Sequence, residues 1–171
     1  MTVSPLDLLV LQIVASFVAL GLLAHTVVAP RLRRIPRDRA LAALLWIHVP
    51  RYIPLALLAP GQIDPQVSLA AVRTIAWGDF ASAVFATAAI VALHVRGAAG
   101  LRWVGAFTVV SVLDIVVALA IGLGSGVYQH PLGVAWYVLT LYVPAVCVSQ
   151  AMIVGALGWI PRRRGQLGGA A

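Results

Sequence analysis

The chain contains no lysine and no glutamate: its twelve basic residues are all arginine and its five acids are all aspartate. Without lysine there is no amine for a Schiff base, which excludes retinal-type pigments and pyridoxal chemistry. Without glutamate there is no HExxH zinc site. The one cysteine, Cys147, allows no intrachain disulfide. Charge of either sign is scarce, at 10% of residues against about 25% in soluble domains. The net charge of +7 does not point to nucleic acid, because the arginines lie in short clusters between apolar runs. That is the pattern of cytoplasmic anchoring loops.

What the chain has in quantity is apolar sequence, 62% of 171 residues. This length holds one membrane domain, residues 1–171, with no room for a separate soluble domain. Five apolar runs are long enough to cross a bilayer, at about 6–29, 41–59, 68–93, 103–122 and 134–159. The first has no basic stretch before it and exceeds the apolar core of a signal peptide, so it reads as a span. Five arginines between Arg31 and Arg39, two at Arg96 and Arg102, and three at Arg162–Arg164 mark alternate connections. The connections at 62–66 and 124–131 have none. By the positive-inside rule the expectation is an all-α integral membrane protein. It is a five-transmembrane-helix bundle with its N-terminus outside and its C-terminus cytoplasmic, in the cell membrane. Residues 162–171 form a basic cytoplasmic tail, where the arginine triplet can also meet anionic lipid. Arg73 and Trp77, four apart, resemble an interfacial anchor at the outer end of the third span.

The polar residues inside these runs stand out. His48-Val49-Pro50-Arg51-Tyr52-Ile53-Pro54 places a permanent cation, an imidazole and two prolines at mid-depth in the second span. Arginine cannot shed its charge by losing a proton, and a charge at bilayer depth costs several kcal/mol unless paired or wetted. Asp79 in the third span and Asp114 in the fourth fall at similar depth and are its expected partners. One carboxylate can pair with Arg51 bidentately. The second must then be protonated or share the guanidinium or a water. At helical spacing His48, Arg51 and Tyr52 line one face. So do Asp79 and Ser82, and also Thr108, Ser111 and Asp114. Gln12 and Ser16 in the first span, and Tyr142, Ser149 and Gln150 in the fifth, add polar groups expected to converge on the bundle centre. Small residues near Gly78 let backbones approach. Pro50 and Pro54 cannot donate to the carbonyls of Trp46 and Pro50, a break that transporters use in building sites.

No cofactor is expected. A haem needs two facing imidazoles; His25 and His94 lie toward one end, and His48 is deeper. No metal is expected at His48, Asp79 and Asp114, because Arg51 would repel a cation. Gly122–Gly126 is not in the GxSxG order, Cys147 reads as a small packing residue, and His130 as a loop residue. Three functions fit these residues. One is binding or transport of a small or amphipathic ligand, with or without a proton, at His48, Arg51, Tyr52, Asp79, Asp114 and Gln150. A second is an intramembrane enzyme using Asp79 or Asp114 as general acid on a terpenoid or other lipid. The third is an accessory subunit in which the polar groups only pack helices. The expected partners are the bilayer and a lipophilic or small ligand, not nucleic acid. The sequence leaves the oligomeric state open.

Overall fold

The computed structural model describes residues 4–126, 129–130, 132–133 and 135–158, and of Ala98 the backbone alone. Every regular element among them is helical. Five helices are long and apolar enough to cross a membrane: α1 Pro5–Leu32, α2 Arg37–Leu58, α3 Leu69–Arg96, α4 Leu101–Gly124 and α5 Ala135–Gly158. They follow the five apolar runs within a few residues at each end. Trp159 and the basic tail at 162–171 lie outside the described residues.

The ends are set by local chemistry. Ser4 accepts from the Leu6 amide and Pro5 opens α1; a proline there sacrifices no intrahelical bond. Ser68 accepts from the Ala71 amide at the start of α3. Gly97, at φ +53°, stops α3, because that conformation is strained for residues with a Cβ.

Prolines shape three of the five helices. In α1 the backbone widens to a π-helical turn over Ala24–Val28, just before Pro30. In α5 it widens over Val138–Tyr142, just before Pro144. A proline ring clashes with the carbonyl four residues back, here Thr26 and Thr140. The wide turn makes room for it, as single π turns do elsewhere. Both threonine hydroxyls fold back onto the helix, on the Leu22 and Trp136 carbonyls. In α2 the response is the reverse. After α-helical Arg37–Leu45 the chain tightens into a 3₁₀ helix over Trp46–Leu58, with Pro50 and Pro54 inside it. Such runs seldom exceed three or four residues; this one has 13.

Helix α3 is central, packed between α2 and α4; α5 closes on α2 and α4, and α1 lies outside on α5. The apolar core joins Leu41 and Leu45 of α2, Ala86, Ala89 and Ile90 of α3, Val104 and Phe107 of α4, and Ile153 of α5. All belong to the helix halves nearest the arginine-rich connections. The alanine face of α3 is what lets its neighbours approach closely. Of α1 only Leu9 is buried. Gln12 accepts from the indole of Trp136, at 2.6 Å, and so ties α1 to α5. The expectation that Gln12 faces the bundle centre is therefore corrected: with α1 packed on one flank, its polar group serves that flank.

Candidate functional site

The 3₁₀ segment of α2 decides which of its side chains face inward. Side chains three apart eclipse one another in a 3₁₀ helix, and the buried residues of the segment are His48, Arg51 and Pro54. Arg51 is 3% exposed. Its guanidinium reaches two helices at once. Nε donates to Asp79 Oδ1 on α3 at 2.7 Å, and Nη1 donates to the Ser111 hydroxyl on α4 at 2.6 Å. Nη2 donates to Asp114 Oδ2, also on α4. Ser82 of α3 donates to the same Asp114 oxygen, at 3.3 Å. One arginine thus bridges α2, α3 and α4, and both carboxylates are used.

Gly78 makes this possible. A Cβ there would overlap Asp114 Oδ1, so only glycine admits the carboxylate between α3 and α4. The two acids differ in setting: the side chain of Asp114 is 7% exposed and that of Asp79 18%. In the predicted stripe on α4, Ser111 and Asp114 face Arg51, whereas Thr108 bonds back to the Val104 carbonyl. Steps of three drift by about 60° per step around an α-helix, which carries Thr108 off the line.

Tyr52 does not join the cluster. The α-helical expectation put it on one face with His48; the tighter winding turns it away, and it is 53% exposed. His48 is fully buried, edge-on to Phe107 at 4.8 Å between ring centroids, and neither ring nitrogen has a partner among the described residues. Gln150 is likewise buried, its amide unpaired among the described residues.

Two residues of α5 serve the backbone of α2. In a 3₁₀ helix the N–H that Pro50 lacks would have bonded to the Ile47 carbonyl; Tyr142 donates its hydroxyl to that carbonyl, at 2.9 Å. Ser149 donates to the Leu44 carbonyl at 3.0 Å, next to the point where the α-helix tightens. The sequence offered the polar residues of α5 but not this task for them. Cys147 is half-buried and free. In the connections without arginine, His130 Nδ1 lies 3.7 Å from Asp64 Oδ2.

Beside the cluster, α2, α3 and the start of α4 line an open apolar groove of about 650 Å³. Tyr52 and Phe80 line one end and Arg96 and Trp103 the other, with Thr87 and Ala88 between. Phe80 and Arg96 are sixteen residues apart on α3, about 24 Å along the axis at 1.5 Å per residue.

The chain belongs to the family of a domain of unknown function (DUF8737), which matches residues 8–158. No curated protein and no solved structure matches it.

Proposed function

We propose that this DUF8737 member is a multi-pass cell-membrane protein, one membrane domain with its N-terminus outside and its C-terminus in the cytoplasm, that binds a lipophilic molecule. The observation that carries this reading is the open apolar groove along α3; in a membrane-spanning bundle that flank would meet lipid. Its occupant is an amphiphile. An apolar chain lies along α3, and an anionic or carbonyl-bearing head meets Arg96 and Trp103, where the cytoplasmic interface falls. Arginine and tryptophan both suit that depth.

In this reading the Arg51–Asp79–Asp114 network is the frame of the site. It fixes α2, α3 and α4, the three helices that wall the groove. The geometry favours a frame over direct ligand contact, because Arg51 already donates to three side chains. Transport through the bundle would have to pass this filled mid-depth layer. Acid catalysis would need a carboxyl released from Arg51. The proposal is therefore binding, with neither step added.

The test is to extract lipophiles from the purified full chain and identify them by mass spectrometry. Wild type should carry a species enriched over the bulk lipid, and Ala88→Trp, which fills the groove, should lose it. An extract identical to the bulk in both proteins would overturn the reading.

A further inference from the structure

A second groove lies on the opposite flank, between the end of α1, the start of α2 and the last turns of α5. It measures about 560 Å³. Leu44, Met152 and Gly155 give it an apolar floor, and Arg33 and Arg37 also line it. Neither arginine has an ion-pair partner among the described residues. Arg37 is held in place by α5: Nη2 donates to the Leu157 carbonyl at 2.8 Å. Its Nε is buried, with no partner among the described residues. Phosphate oxygens are matched acceptors for the N–H groups that an arginine leaves exposed.

We infer that this groove is a binding site for an anionic phospholipid of the leaflet at the arginine-rich face. The phosphate meets the guanidinium groups of Arg33 and Arg37, and an acyl chain lies over Leu44, Met152 and Gly155. The site is independent of the α2–α3–α4 groove. It rests only on the chain spanning a bilayer with this end at an interface. A free phosphate ion would satisfy the same arginines but would leave the apolar floor uncovered.

The experiment uses the full chain in detergent with equimolar phosphatidylglycerol and phosphatidylcholine, read by native mass spectrometry. Basic residues near a membrane surface contribute enough attraction each that two should give roughly tenfold preference for phosphatidylglycerol. Arg33→Gln with Arg37→Gln should abolish the preference, and Arg39→Gln should keep it. Since Arg37 also holds α5, Gly155→Leu provides a second arm. Gly155 lines the groove and a Cβ there meets nothing within 4 Å, so a larger side chain at this position starts into open space. It should reduce lipid retention while leaving thermal unfolding unchanged. Equal retention of both lipids, retention unaffected by Gly155→Leu, or displacement of phosphatidylglycerol by millimolar inorganic phosphate would each sink the proposal. Failure to insert in a bilayer would show separately, in the accessibility of the connections to membrane-impermeant reagents.

Discussion

At the scale of single residues, the chain concentrates its polar chemistry on one guanidinium. That Arg51 needs a carboxylate was legible from the cost of an unpaired charge at depth, and Asp79 and Asp114 were legible from their position in the spans. The geometry that satisfies Arg51 was not. It depends on Ser111 and Ser82 being turned inward and on Gly78 leaving space for Asp114, and these follow from how closely α3 and α4 approach. The two acids should not be equivalent. Asp114→Asn changes the more buried partner, which Ser82 also contacts, and should destabilise the fold by about 3–5 kcal/mol, the usual cost of breaking a buried ion pair. Asp79→Asn, at the more exposed carboxylate, should cost less. Replacing all three residues together by apolar ones of similar size should recover most of the loss, because no charge is then left buried. Reversible unfolding in mixed micelles, followed by tryptophan fluorescence, measures all three. Equal losses for the two asparagine variants would show that burial does not rank them.

At the scale of the element, α2 shows where reading by helical period fails. The period of 3.6 places Tyr52 beside His48; the 3₁₀ winding, with three residues per turn, places Pro54 there instead and sends Tyr52 to the groove. The cause is in the sequence, but it is a balance of small terms. Proline disfavours α geometry at the preceding residue, here Val49 and Ile53, and removes its own donor. Two prolines four apart repeat both effects within one span. Whether the backbone then breaks, kinks or tightens depends on what caps the freed carbonyls, and those caps come from α5, about ninety-five residues away in sequence for Tyr142 and Ile47. Tyr142→Phe should therefore cost about 1 kcal/mol by leaving the Ile47 carbonyl unpaired. In a Pro50→Ala background the new amide can take that carbonyl, so the same change should cost close to nothing. A double-mutant cycle reads the coupling directly; additive losses would mean that the hydroxyl is not standing in for the missing N–H.

At the scale of the whole molecule, five apolar runs and their order were legible because bilayer-length hydrophobic stretches leave little choice of element. Helix neighbours were not legible, since helices in lipid associate through packing detail and not through an amphipathic pattern. That is why α1, although it carries the polar residues Gln12 and Ser16, ends up on the outside of α5. The arrangement of ends does carry a readable asymmetry. Arg31–Arg39, Arg96 and Arg102 gather at the end that also holds the apolar core and the arginines that line both grooves, whereas Asp64 and His130 approach each other at the opposite end. If the arginine-rich end faces the cytoplasm, the topology can be read with one thiol at a time, because Cys147 is the sole native cysteine. In a Cys147→Ala background, a cysteine placed at Gln62 should react with a membrane-impermeant maleimide in intact cells, and one placed at Arg34 only after the membrane is opened. The reverse pattern would invert the bundle and move the arginines of both grooves to the outer leaflet. Labelling of both positions in intact cells would deny that the 31–39 and 62–66 connections lie on opposite sides of a membrane at all.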